Sequence, residues 1–374
     1  KYISQIANGI WTLCEQSTWV LPAHVVVQKE KTGLPDPYEV VIDLGSGTAA
    51  SQLSMIQFML SEELDNYSRG IGKRVFAELN KRIFQPYLSR NDFWWMGFTG
   101  QAVNNWNPWV NTNVLMTALY SSLGADSVGL IITKTVKSTD IFVNQYPDDG
   151  GCDEGPSYWS EAGGKLIRFV HVLNELTSNP IDWKSQKLIY NMGNYITKVH
   201  IGENNFVNFA DAFSKSIPDP ESVYSYGSIF EDAPLKSFGA YLFGLQKQKL
   251  DNANIIDFLE TSVVFDSLTT LVPKASLPAV SWFEDRQVLT ARSKAGDTSG
   301  LFLAVQGGHN AESHNHNDIG NFIVYARGLP LFVDAGVGSY TAQTFSSRRY
   351  ELWNMQSQWH NCPTINGVMQ KEGV

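Results

Sequence analysis

The chain has 374 residues, 43% of them hydrophobic and 17% charged, with a formal net charge of −9. That length exceeds what one hydrophobic core supports, so two domains of a soluble globular protein are expected. No apolar run approaches the ~20 residues that span a bilayer, and the acidic balance argues against nucleic acid or an anionic membrane, which want a basic face.

A polyanionic partner would therefore have to be held by local basic groups in a cleft. Aromatic residues are abundant (12%, with 11 Trp), which suits core packing first and stacking on sugar rings second. The three cysteines, Cys14, Cys152 and Cys362, form no C-x-x-C pair, which excludes a thiolate zinc site and a disulfide scaffold.

In chain order, the first two-thirds read as helices. A helix is expected from Tyr2 to Trp11. Apolar residues at three- and four-residue spacing (Leu53, Ile56, Met59, Leu60; Val75, Leu79, Ile83) predict helices over Ala49–Asp65 and Tyr67–Leu88. Similar stretches cover Thr112–Leu123, Ile131–Asn144, Trp159–Leu176 and Lys184–His200, with Gly/Pro/Asn/Asp breaks at Tyr146–Gly151 and Ile217–Pro220. Helix pairs with such breaks suit a bundle, a solenoid or a helical toroid. After about Pro278 the texture changes to short strand-like runs: Ala279–Phe283, Gln287–Arg292, Leu301–Gln306, Phe322–Ala326, Leu331–Val333 and Pro363–Val368. Helices followed by strands predict an α+β multidomain protein, helical over 1–277 and β over 278–374. These strands are few for a β-sandwich, so the second domain reads as truncated.

Two constellations stand out in the helical part. Asn104-Asn105-Trp106-Asn107-Pro108-Trp109 heads a predicted helix and is readable as Asn capping with Pro in the first turn. Asp149-Gly-Gly-Cys-Asp153-Glu154-Gly-Pro-Ser-Tyr158-Trp159 reads as a polar loop with a helix start at Pro156. In the β part, His314-Asn315-His316-Asn317-Asp318 leads into a strand, and extended backbone would put His314, His316 and Asp318 on one face. Asp334 ends an apolar strand before small Ala335-Gly336, and His360 precedes Asn361. Two His and one Asp make a suitable zinc donor set with a fourth position open.

The run from His314 to Phe322, the Phe332-Val333-Asp334-Ala-Gly-Val-Gly-Ser-Tyr340 segment, Arg348-Arg349-Tyr350 and His360-Asn361 together resemble the heparinase II/III family of polysaccharide lyases. The resemblance implies an incomplete (α/α) toroid joined to an antiparallel β-sandwich, with the active site between them. It implies zinc on His316, Asp334 and His360, structural rather than catalytic, and His314 in the catalytic cleft. Asn105, with Asn104 as alternative, falls where relatives bind the substrate carboxylate; Trp106 stands where some of them have His, which removes one candidate base.

The segment Glu154-Gly-Pro-Ser-Tyr158 is similar to the family's Glu-Gly-Pro-x-Tyr. That assigns Tyr158 as acid, and as base for one substrate epimer, with Glu154 orienting its neighbours. Tyr350 and Tyr340 are second-rank site residues, and Arg348 and Arg349 could pair with substrate carboxylates or sulfates.

The function implied is β-elimination of a uronic-acid polysaccharide, heparan sulfate or another glycosaminoglycan first, alginate or another acidic polysaccharide second. A periplasmic or secreted location follows from the resemblance alone. Two competing readings are a glycoside hydrolase, for which Glu154 or Asp153 could supply one carboxylate but no partner is identifiable, and a non-catalytic metal-stabilised carbohydrate-binding protein.

Overall fold

The computed structural model describes residues 1–30, 33–176, 181–246 and 254–373. Its order is helical first and then a five-stranded antiparallel sheet. Two compact units cut across that order: residues 1–145, 168–176 and 252–259 form the first, and 146–167, 177–251 and 260–374 the second.

The first unit begins with α1 (Ile3–Glu15), which buries Ala7, Ile10 and Cys14 at helical spacing. The helix expected from Ala49 starts earlier, as α2 (Leu44–Met59), because Asp43 caps it by accepting from the Ser46 amide at 2.8 Å. The single helix expected over Tyr67–Leu88 is interrupted. Ser68 ends α3 (Ser61–Tyr67), then α4 (Gly70–Leu79) runs into a π-helical turn, Asn80–Phe84, and α5 (Gln85–Ser89). Pro86 lies just beyond that turn; it has no N–H, and its ring crowds the carbonyl four residues back, so the ladder widens there.

The interior helix of this unit, α6 (Trp106–Leu119), is buried nearly all round. Its polar residues bond to one another: Asn111 donates to Asn107 Oδ1 (3.1 Å) and Ser138 Oγ (2.9 Å), and accepts from the Tyr87 hydroxyl (2.7 Å). Asn107 Nδ2 donates to the Trp95 carbonyl at 2.8 Å, and Ser138, on α7 (Ala125–Gln145), donates to the Met96 carbonyl at 2.9 Å.

Helix α8 (Lys165–Leu176) is divided between the units. The second unit holds α9 (Lys187–Lys198), the short hairpin β1 (His200–Gly202) and β2 (Asn205–Phe206), α10 (Pro220–Ile229), α11 (Ala233–Gln246), most of α12 (Ile255–Thr270) and the large sheet. That sheet is a meander, β3 (Val280–Phe283), β4 (Val288–Arg292), β5 (Leu301–Gln306), β6 (Phe322–Ala326) and β7 (Leu329–Phe332), each pairing with the next.

Phe283, Phe302, Ala304, Ile323 and Tyr325 are buried while alternate residues are not, the mark of a sheet covered on one face. The Phe283 ring meets Tyr195 of α9 edge-on at 5.3 Å. Arg292 ties β4 to β1 by donating to the His200 and Ile201 carbonyls at 2.6 and 3.2 Å.

Two strand expectations change. The His314–Asp318 segment is a loop, with β6 starting only at Phe322. Pro363–Val368 is a tight turn with a single bridge between Ile365 and Val368, because Asn366 and Gly367 both take positive φ (55° and 69°), as an Asn-Gly turn demands.

Candidate metal centre and adjoining polar site

Four segments of the second unit build the site. The first, Cys152–Gly164, carries Glu154 and Tyr158. Gly155 sits at φ +81°, and a Cβ there would lie 2.7 Å from that of Ala212, so only glycine lets this loop close on its neighbour. Ser157 Oγ accepts from the Phe213 amide at 2.7 Å, reinforcing the same approach. Tyr158 is followed by a π-helical turn, Ser160–Gly164, and its carbonyl accepts from the amides of Glu161 (3.0 Å) and Ala162 (3.2 Å). The backbone of Tyr158 is thereby fixed while its side chain remains partly exposed.

The second segment, Asn208–Phe213, brings in Asp211, which the sequence reading did not single out. It is fully buried. Its Oδ2 lies 3.0 Å from His314 Nδ1, and its Oδ1 lies 3.3 Å from His316 Nε2 and 2.7 Å from Arg349 Nη2. These partners hold its carboxyl well below the usual carboxylate range, against the opposing effect of burial.

The third segment holds the histidines. His314 takes φ +59°, a left-handed conformation uncommon outside glycine. The expectation that extended backbone puts His314, His316 and Asp318 on one face therefore fails. Instead His314 points one ring edge to Asp211 and the other to Glu154, whose Oε1 is 3.4 Å from Nε2. Burial alone would lower the His314 pKa, but the Asp211 hydrogen bond and the Glu154 charge outweigh it and raise it. Glu154 moves oppositely to most acids: burial pushes its carboxyl up to about 7, with the His314 charge only partly offsetting this. Asp318 is buried apart from His314, accepting from Gln306 Nε2 at 3.1 Å and Asn321 Nδ2 at 2.8 Å.

The fourth segment supplies Asp334 and His360. With His316 they bring one donor atom each to within 4.8 Å of one another, all buried. Asp334 Oδ1 accepts from the Gly336 amide at 2.6 Å, and its Oδ2 is shared by Asn321 Nδ2 and by His360 Nδ1, the latter at 2.6 Å. His360 Nε2 meets the Asn354 carbonyl at 3.0 Å. His316 Nδ1, by contrast, is buried without a hydrogen-bond partner. A buried orphan acceptor costs free energy unless something binds it. His316, Asp334 and His360, two imidazoles and a carboxylate with donor atoms this close, could hold a divalent metal ion.

The remaining expected residues take varied positions. Tyr340 stacks on Tyr158 with ring centroids 6.3 Å apart and donates a hydrogen bond to its hydroxyl. Tyr350 donates to Asn315 Oδ1 at 2.6 Å. Arg349 is spent internally: besides Asp211, it donates to the carbonyls of His314 (3.1 Å) and Thr344 (3.3 Å). Arg348 is exposed and pairs with Glu351 at 2.8 Å. Beside Asn315 lies a cavity of about 50 Å³, lined also by Gly155, Arg286 and Glu312, with room for water and not for a sugar ring.

Asn104, Asn105 and Trp106 belong to the first unit. Asn104 Oδ1 caps α6 by accepting from the Trp106 amide at 3.0 Å, and Asn105 makes no capping bond. The Trp106 ring packs on His24 (4.3 Å) and Trp94 (5.3 Å).

Residues 290–372 match the profile "Heparinase II/III-like, C-terminal". That match spans 83 of the 374 residues and likens this segment to the heparinase II/III-like family. A solved structure of heparinase III superposes with a TM-score of 0.62 at 14% identity, covering 92% of this chain and 51% of that one. A second heparinase III structure gives 0.55 at 16%, covering 96% and 51%. A mutant of heparan sulfate lyase HepC from Pedobacter heparinus gives 0.54 at 14%, covering 84% and 44%. At these identities the likeness is one of fold, and the chain spans about half the length of the solved structures it matches. No curated protein sequence matches it.

Proposed function

We propose that the protein is a lyase cleaving a uronic-acid polysaccharide by β-elimination, with a glycosaminoglycan such as heparan sulfate the first candidate and alginate or another acidic polysaccharide the second. The observation that carries this is the grouping of Tyr158 with His314, Glu154 and Asp211. Burial raises the Tyr158 pKa and the Tyr340 hydrogen bond only partly lowers it, while Glu154 and Asp211 raise it further. Tyr158 is thus a neutral phenol at neutral pH, fit to protonate the leaving O4. His314, favoured in its charged form by two carboxylates, neutralises the substrate carboxylate as charge develops at C5. The C5 proton passes to a base, the C4–O bond breaks, C4=C5 forms and O4 takes the Tyr158 proton. For the epimer whose C5 proton lies on the Tyr158 side, Tyr158 acts as base only after giving up its own proton, and then passes the C5 proton to O4. Tyr350 and Tyr340 support this arrangement.

His316, Asp334 and His360 would hold zinc, which supplies a rigid node between their three segments. In this reading residues 1–277 form an (α/α) toroid, and residues 278–374 form part of a β-sandwich. Strand β7 leaves Leu329 and Leu331 unburied on one face and Phe332 on the other. Hydrolysis is disfavoured: Glu154 and Asp211 are the carboxylate pair on hand, and the His314 ring fills the gap between them. The test is an ultraviolet screen for unsaturated uronate across a panel of uronic-acid polymers with zinc supplied. Turnover lost in Tyr158→Phe is the expected result; failure on every polymer overturns the reading.

A further inference from the structure

We propose that Asp211 is a positioning residue shared by the metal centre and the reacting site, one carboxylate setting both His316 for a metal and His314 for substrate. The role of His314 rests on the lyase reading; the role of His316 does not.

The argument is one of proton placement. An ionised carboxylate only accepts hydrogen bonds, and a neutral imidazole carries one N–H. Asp211 faces Nδ1 of His314 at 3.0 Å and Nε2 of His316 at 3.3 Å, so each of those nitrogens bears the hydrogen. On a neutral ring the opposite nitrogen is then determined. On His316 it is Nδ1, bare, buried and without a partner, on the ring that groups with Asp334 and His360. That is the lone pair a metal needs, and a carboxylate behind a ligating histidine is the usual way to fix its tautomer. His314 in its charged form carries hydrogen on both nitrogens, Nδ1 towards Asp211 and Nε2 towards Glu154 at 3.4 Å. Arg349 Nη2, 2.7 Å from Asp211 Oδ1, completes the acceptor's shell. It also donates to the His314 carbonyl, so the backbone beside the left-handed His314 is held by the same cation.

A neutral amide cannot repeat this. In Asp211→Asn one oxygen becomes an NH2 donor. Arg349 keeps the remaining oxygen at the Oδ1 position, so the NH2 falls opposite His314 Nδ1, where two donors meet, and His316 is left with a neutral acceptor in place of the charge that fixes its tautomer.

The test is a competitive Zn²⁺ titration against a chromophoric chelator on the whole protein, wild type, Asp211→Asn and Arg349→Gln. Asp211→Asn should weaken zinc binding about 10–100-fold, and Arg349→Gln, which removes the ion pair but leaves both imidazole contacts, much less. On a polymer the wild type cleaves, Asp211→Asn should lower kcat while KM stays within a few-fold. Equal losses in the two variants would reduce Asp211 to an ion-pair partner and overturn the proposal. So would unchanged zinc affinity, or a wild type that binds no zinc. If Asp211→Asn does not fold, nitrogen-15 NMR of histidine-labelled, metal-free wild type decides. Hydrogen on His316 Nε2 and His314 Nδ1 is expected, and hydrogen on His316 Nδ1 alone overturns it. Zinc affinity and tautomers are read without turnover, so a protein inactive on every polymer can still sustain this inference.

Discussion

The protein buries two polar networks, and they are built differently. Around α6, Asn107, Asn111, Ser138 and Tyr87 are neutral and pair among themselves and with the backbone of Trp95 and Met96. Around Asp211 the members are charged, Glu154 and His314 are shifted towards holding a proton, and one nitrogen of His316 has no partner. Satisfied neutral ladders rigidify a core. A network left one partner short, with displaced pKa values, is organised for something that binds. Asp211 and His316 are as deeply buried as Asn107 and Asn111, so exposure alone would not tell the structural network from the functional one.

That contrast can be broken or sharpened by experiment. The largest effect is expected at the reacting end: Tyr158→Phe should cut the elimination rate roughly 100- to 10,000-fold with little change in Tm, measured as unsaturated-uronate absorbance. A small loss would move the acid elsewhere. In the neutral ladder, Asn111→Ala strands the Tyr87 hydroxyl and the Asn107 carbonyl oxygen. It should cost about 4 kcal/mol, seen as a lower Tm, while any zinc affinity stays as in wild type.

Glu154 gives the pH signature. Its carboxyl is raised from 4.5 to about 7 in the folded protein, so the native state binds more protons between those values. Stability from this group is full below about pH 4.5 and lost as pH rises through about 7. Glu154→Gln should flatten that slope, by up to about 3 kcal/mol across the window; identical Tm-against-pH curves would refute the assignment. The smallest effect is expected at Arg348, exposed and paired only with Glu351: Arg348→Ala should stay within about 0.5 kcal/mol.

The grouping of His316, Asp334 and His360 was legible through the family resemblance, which named all three from motifs in the last third of the chain. Asp211 was not, since 105 residues separate it from His316 and no motif surrounds it. A hint existed, a lone carboxylate between Phe209-Ala210 and Ala212-Phe213, where an acid is expected to be either exposed or paired. The shared face of His314 and His316 was misjudged because alternation presumes extended backbone, and the positive φ of His314 breaks it. Helix interiors were readable from their apolar spacing. Their ends were not, because Asp43 and Pro86 act through single bonds made or missing at the termini. Arg349 was readable as a cation but not as one already engaged, since its distant partners Asp211 and His314 come from two other segments.

That guanidinium also sets an order in time. Asp211 and Arg349 are 138 residues apart, and at a ribosome adding roughly 5–20 residues per second the first waits about 7–28 seconds for the second. Until then the nascent chain carries Asp211 without the cation, the two imidazoles or the loop carbonyls that later surround it. The helices before it can form from local contacts, whereas this site closes only after the segment through His360 has emerged.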